Sequence, residues 1–246
     1  VLLEDAARRE KPYKTGMVQL YHHPLCPLSR FIRLSLGEYG VEAELIEERV
    51  HERRREFLML DPAGQTPVLV TDEGDVVPGA GVIAEWLDEI FGESLGPHRL
   101  LPVSTRERVE TRRLLSWFNE KFYGEVSNWL VTEKVYKRFM ATEIGSGAPD
   151  MDVVRAARIN VRHHLRYISW LAQNRNWLGG DRMTYVDLAA AAHLSSVDYL
   201  GDVPWDEEEP AKLWYQRLKS RPSFRPLLAD RAPGVAVNPI YAEVDF

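Results

Sequence analysis

The chain has 246 residues, enough for one large domain or two modest ones, and its 45% apolar and 28% charged residues are the balance of a folded globule. A net charge of −6 argues against a general nucleic-acid or anionic-membrane binder, and a single cysteine excludes an internal disulfide framework and a four-cysteine zinc site. No apolar run is long enough to span a bilayer and no charged-then-apolar leader opens the sequence, so the expectation is a soluble protein of a reducing compartment without membrane insertion.

Residues 1–16 mix both charges, end in a Thr-Gly turn signal and read as separate from the rest of the chain. Two readings stand: an expression remnant, or a short recognition peptide anchored by Leu2, Leu3, Ala6 and Tyr13. Val18–Tyr21 reads as an apolar strand and His22–Pro27 as a turn with two prolines. An amphipathic helix comes next, over 29–38, stopped by Gly40. A second strand lies within 41–50, and a short helical piece over 57–60 ends at Asp61-Pro62. Val68-Leu69-Val70 and Val76-Val77 flank a hairpin turn at Asp72-Glu73-Gly74, and 82–91 carries Ile83, Trp86, Leu87 and Ile90 at helical spacing. The order is β-α-β-α-β-β-α over 17–97, with a linker over 98–104.

From Thr105 the pattern is wholly helical, with helices expected near 105–123, 125–141, 150–174, 184–200 and 209–220 inside an all-α domain spanning 105–230. Arg155, Arg158, Arg162 and Arg166 recur at helical spacing as one basic stripe, with no acid between Val153 and Gly180 to compensate it within the helix. His51, Arg53, Arg54 and Arg55 form a second basic cluster. An acidic run from Asp198 to Glu209 surrounds Trp205, whose ring is expected to be buried. His163 and His164 are expected at the surface or half-buried. The last 16 residues, 231–246, return to extended, proline-containing sequence.

The motifs carry a resemblance. Leu20-Tyr21, then Cys26-Pro27-Leu28-Ser29, then Arg33 and Leu36, resemble the first strand, active-site loop and first helix of cytosolic glutathione S-transferases of the cysteine type. The segment from Asp61-Pro62 to Pro67-Val68-Leu69 resembles the family's proline loop, and 178–189 resembles its helical-domain signature, with Thr184 as N-cap and Asp187 answering three residues later. The resemblance spans about 17–221. It implies a thioredoxin-like N-terminal domain joined to an all-helical domain, a cis bond at Thr66-Pro67, and a two-fold dimer. That dimer would draw on Arg106, Arg108, Arg112 and Arg113 against Glu107, Glu110 and Glu120, with Trp117, Phe118 and Phe122 adding apolar area if they are not already core.

Cys26 stands where the family activates the glutathione sulfur, at a helix N-terminus that favours thiolate. The alternative is a small residue kept by packing. Against catalysis, Gly79 and Ala80 occupy the positions of the family's Glu-Ser pair, whose hydroxyl and neighbouring amide hold the glutamyl carboxylate. Losing such a partner costs about 2–5 kcal/mol of ligand affinity, so no glutathione cofactor is expected. His22, His23 and Cys26 supply too few ligands for a metal, and none is expected.

The run LYHHPLCPLSR, the Gly79-Ala80 departure and the terminal YAEVDF resemble more narrowly the glutathione-transferase-like bacterial division factors that bind the tubulin-like filament protein FtsZ. That resemblance implies a non-enzymatic cytoplasmic homodimer at the division site, linking FtsZ filaments to septal wall synthesis. It further implies that 1–16 is a candidate peptide of another division partner such as FtsK. The tail residues Tyr241, Glu243, Val244, Asp245 and Phe246 and the arginine stripe are then the candidate partner contacts; the alternatives are a tail that drapes over the body and a stripe that is an ordinary solvated face. A cysteine-type transferase using Cys26 is the alternative.

Overall fold

The structure is a computed structural model and describes residues 16–246. Leu2, Leu3 and Tyr13, the anchors expected of a recognition peptide, lie outside the described residues.

Strand β1 (Val18–His22) alternates buried and half-buried positions, as a period of two requires when one face is packed. It runs parallel to β2 (Ala43–Glu47) and antiparallel to β3 (Val68–Val70), which forms a hairpin with β4 (Val76–Pro78). The sheet order is β2-β1-β3-β4. Helix α1 (Pro27–Tyr39) begins with proline at its first position and ends on Gly40 in the left-handed region, φ 67. Helix α2 (Arg55–Leu60) lies between β2 and β3, and the Thr66-Pro67 bond before β3 is cis, as expected. Gly79, at φ 86, turns the chain from β4 into α3 (Ala80–Phe91), a conformation only glycine adopts without strain. This is the thioredoxin-like order read from the sequence.

Two helices were expected over 105–141; the structure has one rod over 105–134. Helix α4 (Thr105–Ser116) passes without a break through a π-helical stretch, Trp117–Ser127, into α5 (Asn128–Lys134). Gly124 does not interrupt it, because neighbouring helices hold the widened turns. Ser127 and Asn119 meet the two ring nitrogens of His193 at 2.8 and 3.1 Å, and Trp117 and Glu125 meet those of His164 at 3.1 and 3.0 Å. Asn160 also donates to the Glu125 carbonyl at 3.1 Å. His164 is therefore fully buried rather than at the surface, and Phe118 and Phe122 are core rather than free for a dimer face.

Helices α6 (Met151–Asn174), α7 (Tyr185–Tyr199), α8 (Glu209–Lys219) and α9 (Arg225–Leu228) complete the helical part. Every residue of α7 is buried, and its polar side chains find partners inside the fold, among them Asp187, His193, Ser195 and Asp198. Near its end Asp198 takes the Trp205 indole at 2.9 Å, so Trp205 is buried as expected. Among the described residues no helix is long and apolar enough to cross a membrane.

The tail corrects an expectation. Read as an extended segment with exposed aromatic anchors, it instead winds back over the end of α7. Asn238 donates from its backbone to the Tyr199 carbonyl at 2.9 Å, and the Tyr199 hydroxyl accepts the Ala232 amide at 3.0 Å. Tyr241 is fully buried and Phe246 lies edge-on to Trp205 at 5.2 Å, with the Lys219 ammonium 4.2 Å from its ring. The physical reason is area: two aromatic rings beside apolar walls remove more surface from water than ordering a short loop costs. Of the expected tail contacts, Glu243 and Asp245 are exposed, while Val244 and Phe246 are half-buried.

Candidate functional site

The loop between β1 and α1 sets the first candidate site. Cys26 is the N-cap of α1, and its carbonyl accepts the Arg30 amide at 3.0 Å. Its thiol is buried and donates to the Thr66 carbonyl, just before the cis proline, at 3.8 Å. The thiol is thus packed against the backbone of the proline loop rather than open to solvent. Aromatic rings close the space around it. Burial first, and the adjacent Cys26 second, push the Tyr123 and Tyr136 hydroxyls well above the ordinary phenol range. The His23 ring stands edge-on to Tyr136 at 4.9 Å.

Beneath that loop lies a residue that sequence reading passed over. Arg30 is fully buried. Its Nε donates to the Pro24 carbonyl at 2.6 Å, Nη1 to Ser195 at 2.9 Å and Tyr241 at 2.8 Å, and Nη2 to Asp230 at 3.2 Å. Arg33 adds a bidentate pair to the same carboxylate at 2.7 and 3.0 Å. One arginine thus ties the active-site-like loop, α7 and the tail together. Desolvation and the adjacent Arg33 hold His22 down to about 4. The signal in the sequence was an arginine directly beside Phe31, on the buried side of an amphipathic helix.

The second candidate is a cavity of about 350 Å³ at the start of α3, floored by Leu28, Phe31, Ala80 and Tyr185. Ala80 here stands at the serine position of the Glu-Ser pair in the resemblance given above. Ala80 supplies no hydroxyl. Arg112, on the rim, is engaged by Glu85 through contacts of 2.9 to 3.1 Å. Glu120, also on the rim, accepts the Ser116 hydroxyl at 2.8 Å. Two carboxylates against one committed guanidinium disfavour an anionic ligand.

The arginine stripe has no acid within the stretch 153–180, as the sequence says, and is largely compensated by carboxylates from outside it. Arg158 pairs with Asp202 at 2.7 Å, Arg162 with Glu207 at 2.8 Å, and Arg155 with Asp152 on its own helix. Arg166 alone of the four has no carboxylate partner among the described residues; its Nε donates to the Arg162 carbonyl at 3.4 Å. Part of the acidic run after α7 therefore faces this stripe.

Thr184 and Asp187 form the expected capping box at α7. Asp187 also accepts the Leu178 amide at 2.9 Å and the Trp214 indole at 3.0 Å, and burial raises its carboxyl above the usual range. The expected dimer-face charges are largely satisfied within the chain, with Arg108 to Asp88 at 3.7 Å and Arg113 to Glu110 at 2.8 Å.

These features recur in known proteins. Residues 20–95 match the family model for the glutathione S-transferase N-terminal domain. FtsZ-localized protein A of Caulobacter vibrioides is 46% identical over 230 residues, covering 92% of this chain and 97% of that one. A crystal structure described as a glutathione S-transferase from Sinorhizobium meliloti superposes with a TM-score of 0.92 at 51% identity, covering 94% of this chain and all of that one (100%). The structure of FzlA from C. crescentus superposes with a TM-score of 0.87 at 44% identity, covering 94% of this chain and 100% of that one. The fold, the ordered motifs and these likenesses together establish that the chain belongs to the glutathione S-transferase family, in the branch of FtsZ-localized protein A.

Proposed function

We propose that this chain is a non-enzymatic adaptor of bacterial division that associates with FtsZ filaments and couples them to constriction and septal wall synthesis. The observation that carries the reading is the 46% identity, across nearly both full lengths, with a protein named for its localisation with FtsZ. The site chemistry agrees with it. The Cys26 thiol is buried and engaged by a carbonyl, and the glutamyl position has lost its hydroxyl while keeping Glu120 on its rim. The adaptor acts as a cytoplasmic homodimer at the division site. Val76 and Val82 in the N-terminal domain and Val109 on α4 are exposed apolar residues, available to a two-fold contact between that domain and the helices near 105–140 of a second copy. Glu243 and Asp245, the exposed acids of the tail, are available to a further division protein such as FtsK.

The second reading is a cysteine-type transferase. It is favoured by one observation, Cys26 at the α1 N-terminus beside the cis-proline loop. Co-sedimentation with FtsZ filaments and glutathione titration on the same preparation separate the two. Filament binding without glutathione binding supports the adaptor. Glutathione binding with thiol-transfer turnover and no filament binding supports the enzyme.

A further inference from the structure

Helix α6 is 24 residues long, and its outward line carries large apolar side chains that the core does not use. Spacings of seven and eleven residues bring Ile159, Arg166 and Trp170 onto one line of a helix. Ile159 is 66% exposed and Trp170 is 53% exposed. Between them stands Arg166, the one arginine of the stripe without a carboxylate partner among the described residues. His163, also exposed, flanks the line.

The aromatic end of this crest is braced. Trp170 stacks on Tyr167, with ring centroids 6.2 Å apart and planes 9° from parallel. Tyr167 packs against Trp117 at 4.5 Å, and its hydroxyl accepts from Arg113 at 3.2 Å. An exposed indole held by a stacked and anchored neighbour loses little freedom on binding, which is the advantage of a preorganised anchor. Trp, Tyr and Arg are also the residue types that dominate binding energy at interfaces. The remaining arginines are neutralised by Asp152, Asp202 and Glu207, so recognition cannot spread along the whole stripe.

We propose that the crest of α6 (Ile159, Arg166 and Trp170, backed by Tyr167) is the surface by which this chain docks on FtsZ filaments, against an acidic patch that carries an apolar side chain. This rests on the adaptor reading and names the face that performs it. The unpaired guanidinium selects a carboxylate, and the flanking indole and isoleucine exclude water from that contact, strengthening it. The fit is to an acidic partner because the crest is cationic on a chain of net charge −6.

The test is co-sedimentation of the purified full chain with assembled FtsZ filaments over a range of salt concentrations. Trp170→Ala and Arg166→Glu should each weaken binding about tenfold or more. Both should melt within a few degrees of the parent, and Met59→Ala, an exposed change on α2, should bind as the parent does. Should Trp170→Ala prove unstable, Ile159→Asp, about 16 Å away along the helix, asks the same question. Parent-like binding by all these variants overturns the crest and leaves the adaptor reading standing. A parent that does not co-sediment overturns both. Conversion of a dimer to a monomer by Trp170→Ala in light scattering gives the crest to a second copy of the chain and overturns the proposal.

Discussion

Nη1 of Arg30 donates a 2.8 Å hydrogen bond to the hydroxyl of Tyr241, a residue 211 positions away. The same hydroxyl donates to the Leu227 carbonyl at 3.0 Å, and the ring stands edge-on to Tyr199 at 5.2 Å. A buried guanidinium needs its donors filled, and the tail supplies one of the acceptors. The tail's aromatic residue is thus part of the body, while its acids face outward.

Tyr241→Ala should therefore destabilise the fold by about 3–5 kcal/mol, from lost ring burial and an unfilled Arg30 donor, lowering the melting temperature by roughly 6–20 °C. Tyr241→Phe keeps the ring and should cost only about 1–2 kcal/mol. Glu243→Lys should leave melting unchanged. Thermal denaturation checks all three, and parent-like melting of Tyr241→Ala would show that the tail docks without holding the fold.

Asp187 answers for several buried donors at once: the Thr184 and Leu178 amides and the Trp214 indole. Asp187→Ala strips them together and should cost about 3 kcal/mol or more, against roughly 1 kcal/mol for Thr184→Ala, which removes only a cap. Urea unfolding of the two variants should show that order. The reverse order would mean that the capping hydroxyl, not the carboxylate, organises the start of α7.

Acid should unfold this protein through its histidines. Burial pushes His193 down to about 3, and burial also holds His164 down to about 4 despite Glu125 beside it. Unfolded imidazoles protonate near 6.5, so below that pH the unfolded chain binds protons that the fold does not. Stability is complete above about pH 6.5 and falls as pH falls toward about 4, by roughly 1.4 kcal/mol per pH unit for each histidine. Asp187 and Asp198, raised by burial, work in the opposite direction at lower pH. Urea titrations at pH 7, 6 and 5 should show a loss on the order of 4 kcal/mol from these two histidines and about as much again from His22 and His23, which burial also holds down to about 4. His193→Gln should shallow the slope by about one proton; an unchanged slope would exonerate that ring.

Glutathione should not bind at a dissociation constant tighter than about 1 mM, equivalent to roughly −4 kcal/mol. The reason is the hydroxyl missing at Ala80 and the carboxylate of Glu120 on the cavity rim. Calorimetric titration decides it. Cys26→Ala should leave FtsZ co-sedimentation within about twofold of the parent, because the thiol is buried and lies in the N-terminal loop rather than on an exposed face. Tight glutathione binding, or loss of filament binding in this variant, would return Cys26 to a working role.

The sequence by itself determined the features that are settled within a few residues. Alternation in Val18–His22 and the capping box of Thr184 and Asp187 are local and legible from the residues themselves, while the cis bond at Thr66-Pro67 and the missing hydroxyl at Ala80 were legible only through the resemblance to a known family. Tertiary structure alone decided what depends on a distant partner. The sequence could say only that the stripe has no acid within its own helix stretch, and the fold decided that Asp202 and Glu207, which follow α7, pair with it. The rod from 105 to 134 read as two helices because the histidines that hold its π-helical stretch belong to α6 and α7. Tyr241 read as an exposed anchor because nothing near it in sequence names Arg30. A side chain's own neighbours fix its backbone geometry, but its exposure and net charge belong to whatever the rest of the chain packs against it.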